Sequence, residues 1–195
     1  TQYWGNFTRE HNQVPRPAGC TRARARAKKM ATVVWDAFRA SPELPMASWH
    51  WPVGGCCLYL GLLLALHRAD APPLVSKRVL LPLEAVHNGV LVALSACMAV
   101  GTAVGAWERA AQWGWLSLLC YEGPPETMWD GKLGWFTYLF YVTKYYELFD
   151  TALLVLRGKP VIALHVWHHS TMLFVTWSWF AFPWTEGAWW CTLGT

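Results

Sequence analysis

Charge is what this chain has least of. Only 14% of its 195 residues are charged, against roughly 25% in a typical soluble domain. A water-soluble protein of this size needs a charged surface, and the few charges here are clustered rather than spread. Lipid is the alternative solvent. The six cysteines, Cys20, Cys56, Cys57, Cys97, Cys120 and Cys191, contain no CxxC pair and no zinc-type spacing, which argues against a disulfide scaffold or zinc module. Three of them sit in apolar runs, where a free Cys behaves as a small hydrophobe. No internal repeat, low-complexity tract or signal-peptide core is visible. The run Arg22, Arg24, Arg26, Lys28, Lys29 has no interleaved stacking aromatics, so it reads as a solvated or membrane-surface tail and not as a nucleic-acid site.

What is abundant is apolar and aromatic: 54% hydrophobic residues, with 15 Trp, 7 Tyr and 8 Phe. Spanning a bilayer takes about 20 mostly apolar residues. Residues 1–48 are polar, basic and Pro-bearing, and form a tail; Met30 is the first methionine, so 1–29 read as an upstream extension. Residues 49–195 form the membrane domain. Its runs are 49–66, opened by the belt Trp49-His50-Trp51, then 86–106, 134–156 and 161–182. The pattern predicts an all-α, multi-span transmembrane helical bundle. The stretch 69–84, with Pro72, Pro73 and Pro82, reads as a loop. The short apolar piece 113–121 reads as re-entrant or interfacial. Pro160 stands where a helix would begin, Pro183 ends the fourth run, and 187–195 opens a fifth. The second run is rich in Ala, Gly and Ser, which suits close helix packing in lipid. Orientation turns on the chain start. Arg68, Lys77, Arg78, Arg157 and Lys159 share one face, and the other face outweighs them only if the basic tail is counted.

Two stretches place ionisable groups inside apolar runs, where each costs about 2.5–3.5 kcal/mol and usually faces a protein-lined cavity. In the first, Lys144, Glu147 and Thr151 share a helical stripe with Asp150 beside it. Lys144 and Glu147 are an i, i+3 pair, read either as a structural ion pair or as the polar wall of a buried site. The second is His165, His168 and His169. Their spacing puts three imidazoles on one face, fit for ligating metal, accepting a proton or acting as nucleophile. Three ligands from one turn suit a metal poorly, and the remaining histidines, His11, His50, His67 and His87, form no second HxxH or HxxxH pair. The two stretches are separated by a four-residue loop, which predicts antiparallel neighbours and one site near the loop, toward Arg157 and Lys159.

KxxExxDT (Lys144, Glu147, Asp150, Thr151) followed by HxxHH (His165, His168, His169) within Leu164-His165-Val166-Trp167-His168-His169-Ser170-Thr171 resembles the ELO family of very-long-chain fatty acid elongases, over roughly 45–195. The resemblance implies a multi-pass protein of the endoplasmic reticulum membrane, with seven spans, six of them around an acyl tunnel. It implies a 3-oxoacyl-CoA synthase that condenses a long-chain acyl-CoA with malonyl-CoA without metal or organic cofactor, and that works beside other elongation-cycle enzymes. The family's later His, Met-Tyr and Gln motifs are not in this chain, which carries about four or five of the spans; alone, it is expected to be inactive. The resemblance further implies His168 as the group that takes the acyl chain, with His165 and His169 orienting it or moving protons. Glu147 and Asp150 then fix the ring tautomers, and Lys144 balances their charge or stabilises the enolate oxygen. Arg157 and Lys159 attract CoA phosphates or simply mark the cytosolic side. The rival classes are a histidine-box membrane oxidoreductase, which would carry iron, and a transporter.

Overall fold

The computed structural model describes residues 35–41, 43–66, 75–119, 127–182 and Thr192. All regular structure among them is helical: α1 (His50–Leu66), α2 (Lys77–Trp113), a 3-10 turn (Trp115–Leu118), α3 (Gly131–Glu147), α4 (Phe149–Leu156) and α5 (Ala163–Ala181).

Helix α1 is apolar on every side. Leu58, Leu60, Leu62 and Leu64 are all exposed, a pattern that belongs to a helix surrounded by apolar material. At its start the Ser48 hydroxyl meets His50 Nδ1 at 2.6 Å.

Helix α2 overturns two expectations. It begins at Lys77, so Pro82 lies inside it rather than in a loop. Pro82 removes one backbone bond near the helix start, a loss outweighed by the leucines around it, of which Leu80 is 1% exposed. The helix also runs past the apolar stretch through Glu108 and Arg109, because both charges are met by the segment around 128–132. Arg109 donates to the Met128 carbonyl and Lys132 to Glu108. It stops at Gly114, whose φ of 84° no side-chain-bearing residue adopts easily. The supposed re-entrant piece is only the 3-10 turn among the described residues. With 37 residues, α2 is the one helix among the described residues both long and apolar enough to cross a membrane.

The run 134–156 is divided at Leu148, which keeps right-handed helical geometry (φ −58°, ψ −21°). Helix α5 begins at Ala163, not at Pro160. The reason lies in the preceding turn. Gly158, at φ 66°, lets its N–H reach the Val155 carbonyl at 2.9 Å while the Lys159 N–H reaches Leu154 at 3.0 Å. This double closure of a helix C-terminus takes up the chain as far as Lys159, and α5 starts only after the extended Ile162. The α5 end at Phe182, just before Pro183, is as expected. The expected fifth run, 187–195, lies outside the described residues except Thr192, which donates to Thr102 at 2.9 Å.

The core joins α2, α3 and α5 through Met98, Ala106, Leu133, Phe136, Phe140 and Trp179. Phe140 stacks on Trp179 at 5.7 Å, and Thr151 meets His165 nearer the turn, so the α3–α4 stretch and α5 run antiparallel, as the short loop required. Gly101 and Gly105 let α3 approach α2. A Cβ on Gly101 would sit 2.2 Å from the Phe136 ring, and one on Gly105 would sit 2.8 Å from the Leu133 backbone nitrogen. Gly105→Val is therefore expected to force the helices apart and cost about 1–3 kcal/mol, read as a lowered thermal midpoint of the detergent-purified protein.

The segment before α1 is tied down by its carbonyls. Tyr138, Tyr141 and Trp177 donate to Pro45, Met46 and Ala47 at 2.5, 2.8 and 2.7 Å. Upstream, Asp130 accepts from the Ala40 N–H at 3.2 Å and faces Arg39 at 3.3 Å. Burial raises its carboxyl above the usual carboxylate range against the lowering pull of Arg39.

Candidate active site

The two ionisable stretches meet. Thr151 Oγ1 on α4 lies 2.8 Å from His165 Nε2 on α5, and the Tyr59 hydroxyl on α1 lies 3.1 Å from the same Thr151 oxygen. The His165 and His169 rings lie tilted to each other at 4.3 Å, and His168 stands edge-on to His169 at 5.6 Å. His169 is buried under the Tyr59 ring, 6.2 Å away. His168 is exposed and His165 half-buried. The three imidazoles thus form one cluster, but only two of them are held from the α1 and α4 side.

Lys144 and Glu147 pair as their spacing predicts. The ammonium reaches both carboxylate oxygens, at 2.7 and 3.0 Å, and lies 4.0 Å over the Phe140 ring. The Lys144 side chain is 9% exposed and that of Glu147 19%. Such a pair is held by mutual neutralisation in a low-dielectric setting.

The carboxylates do not orient the histidine box as expected. Glu147 is taken by Lys144. Asp150 Oδ1 instead meets His87 Nε2 of α2 at 2.6 Å, and His87 Nδ1 meets the Tyr146 hydroxyl at 2.9 Å. Thr151 is the group that contacts His165. The difference follows from the helical turn: Asp150 and Thr151 are adjacent, so they point about 100° apart. One faces α2 and the other faces α1 and α5.

His87, which forms no HxxH or HxxxH pair in the sequence, is 2% exposed and central to this arrangement. Its signal was the same as that of the other two stretches, an ionisable group inside an apolar run. Tyr59 carried no such signal, because a Tyr among leucines looks like any amphipathic side chain. Arg157 is engaged by Glu84 at 2.8 Å, whereas Lys159 is exposed in the α4–α5 turn. Among the described residues no three or more His, Cys, Asp or Glu side chains converge as metal ligands.

Beside the cluster lies an apolar cleft of about 570 Å³. Leu58, Leu62, Leu83, Val86, Phe149 and Val155 line its walls, and Tyr59, His87 and Thr151 border it. The site therefore combines a greasy hollow with a row of hydrogen-bonding groups at one side. That pairing suits a long apolar substrate carrying a reactive polar end.

Comparison with known proteins adds an independent line. The family model described as "ELO: GNS1/SUR4 family" matches residues 44–195. "Fatty acid elongase sre1" of Dictyostelium discoideum is 36% identical over 151 residues, covering 76% of this chain and 54% of that protein. "Fatty acid elongase 2" of Trypanosoma brucei brucei is 30% identical over 126 residues, covering 63% of this chain and 46% of that protein. The chain thus spans about half the length of these relatives. No solved structure matches it.

Proposed function

Since the chain belongs to the ELO (GNS1/SUR4) family, we propose that its protein is a 3-oxoacyl-CoA synthase of fatty acid elongation, condensing a long-chain acyl-CoA with malonyl-CoA. The observation that carries this reading is the 2.8 Å contact between Thr151 and His165. It joins the KxxExxDT stretch to the histidine box in one site bordered by an apolar cleft.

The proposed reaction has two transfers. An imidazole nitrogen of His168 attacks the acyl thioester carbonyl, the C–S bond breaks, and CoA leaves as a thiolate that takes up a proton. Malonyl-CoA then loses CO2. The electron pair of the broken C–C bond passes through the enolate to attack the acyl-imidazole carbonyl. The C–N bond breaks, imidazole is restored, and 3-oxoacyl-CoA departs. Neither transfer calls on metal or organic cofactor. Lys144 supplies positive charge in the neighbourhood where the enolate develops. The protein is placed in the endoplasmic reticulum membrane as a multi-pass bundle, with α1, α2, the α3–α4 stretch and α5 as spans. Its products are passed to the reducing and dehydrating enzymes of the same cycle.

The test uses membranes from cells expressing the complete coding sequence, given a long-chain acyl-CoA and malonyl-CoA radiolabelled at C2. Label is expected in a 3-oxoacyl-CoA two carbons longer than the primer. Label that remains only in malonyl-CoA, under conditions where a relative of the family is active, ends the reading. With acyl-CoA alone, the protein is expected to release CoA and retain an acyl group.

Lys159 is the exposed cation of the α4–α5 turn, and in this reading it meets a CoA phosphate. Lys159→Ala is expected to raise KM for acyl-CoA about 2–5-fold, the scale of an exposed ion pair, with kcat unchanged. Equal KM values in steady-state assays at low salt would remove Lys159 from the CoA site.

A further inference from the structure

Threonines in these helices mostly turn back on their own backbone. Thr137, Thr143, Thr171 and Thr176 donate to the carbonyls of Leu133, Phe140, Trp167 and Met172, each at 2.6–2.8 Å. That is the usual habit of a helical hydroxyl. Thr151 does otherwise. It is 4% exposed, and its oxygen is shared between Tyr59 on α1 and His165 on α5.

The protons in this chain can be counted. Each hydroxyl has one to give, and Thr151 is the sole hydrogen-bond partner of the Tyr59 hydroxyl among the described residues. If His165 carried its proton on Nε2, three protons would share two contacts: Thr151 would accept from His165 and either donate to Tyr59 or accept from it as well. Either way one buried hydroxyl proton, that of Tyr59 or that of Thr151, would have no acceptor among the described residues. In the opposite direction every group is satisfied: Tyr59 donates to Thr151, and Thr151 donates to an unprotonated Nε2.

We infer that Tyr59 is a positioning residue which, through Thr151, holds His165 as its Nδ1–H tautomer with Nε2 capped. The inference rests on the histidine box being the reacting group, and it gives the first helix a part in the site. It removes His165 from the candidates for nucleophile, since its one lone pair is occupied. It also fixes the ring against which His169, and through it His168, is packed.

The chemical consequence can be read without any turnover assay. Diethyl pyrocarbonate carbethoxylates an unprotonated imidazole nitrogen, so a capped Nε2 reacts slowly. In the full-length protein, labelling of His165 located by peptide mass spectrometry is expected to be about 3-fold faster in Tyr59→Phe and about 10-fold faster in Thr151→Val. Thr151→Ser, which keeps the hydroxyl, is expected to match the wild type. Because Tyr59 acts through Thr151, adding Tyr59→Phe to Thr151→Val is expected to change nothing further. In the condensation assay, Tyr59→Phe is expected to lower kcat about 3–10-fold at constant KM. Unchanged His165 labelling in Tyr59→Phe, or effects of the two substitutions that multiply, would overturn the inference. If the wild type makes no 3-oxoacyl-CoA, the proposed reaction fails and the labelling series alone decides the role of Tyr59.

Discussion

His168→Ala is expected to reduce condensation by at least about 10³-fold, the scale on which removal of a covalent nucleophile is felt. The structure separates the three imidazoles by what is already attached to them. His165 has Nε2 within 2.8 Å of Thr151. His169 is 7% exposed, with His165 on one side and Tyr59 near its ring. His168 alone presents an exposed ring, touching the cluster only edge-on at 5.6 Å. A nucleophile must offer a lone pair along an open line to the thioester carbonyl, and an engaged or covered ring cannot. The variant should also fail to retain an acyl group when given acyl-CoA alone. Turnover above about a tenth of wild type, with the protein still folded, would move the acyl transfer off His168. Because the side chain is exposed, its loss should leave the thermal midpoint almost unchanged, so a fall in activity cannot be traced to unfolding.

Glu147→Gln carries the largest expected cost in stability. It leaves the Lys144 ammonium, 9% exposed, without its counter-charge, and stranding one partner of a buried pair costs about 3–5 kcal/mol. The face of Phe140 at 4.0 Å already holds the ammonium, is worth only about 0.5–2 kcal/mol, and cannot replace the carboxylate. Lys144→Met alone should be milder, because Glu147, at 19% exposure, keeps more access to polar surroundings. The double replacement Lys144→Met, Glu147→Leu removes both charges together and is expected to restore most of the lost stability. Thermal unfolding of the three variants in detergent checks this order. The double variant also decides between the two readings of this pair. A stable but inactive double variant makes the pair part of the reacting site. A stable and active one makes it a strut.

Much of this arrangement was legible beforehand, because strong signals act locally. Long apolar runs located α1 and α5, and the i, i+3 spacing of Lys144 and Glu147 fixed their pairing. The four-residue loop required that the two stretches be antiparallel neighbours, though not that Thr151 be the group that meets His165. What escaped was decided by contacts between segments distant in sequence. The continuation of α2 past Arg109 depends on Met128 and Lys132, which no local window contains. The place of His87 depends on Asp150, 63 residues away. The delayed start of α5 depends on the left-handed Gly158, since Pro160 would otherwise be a sound first residue. The expectation that both acids serve the histidine box erred for a related reason. A stripe on a helical wheel shows which way a side chain points, but not which of several neighbours stands there.

The closure at Gly158 has one more effect. Between Thr151 and His165 the backbone reverses within a few residues, locked at both crossed amides of the turn. That makes the turn a gauge block: it sets how far one helix is advanced along the other. Sliding by a single residue shifts a helix by about 1.5 Å along its axis, enough to carry a hydroxyl out of reach of an imidazole. Lengthening the turn by even one residue would therefore leave both motifs spelled correctly and out of step with each other.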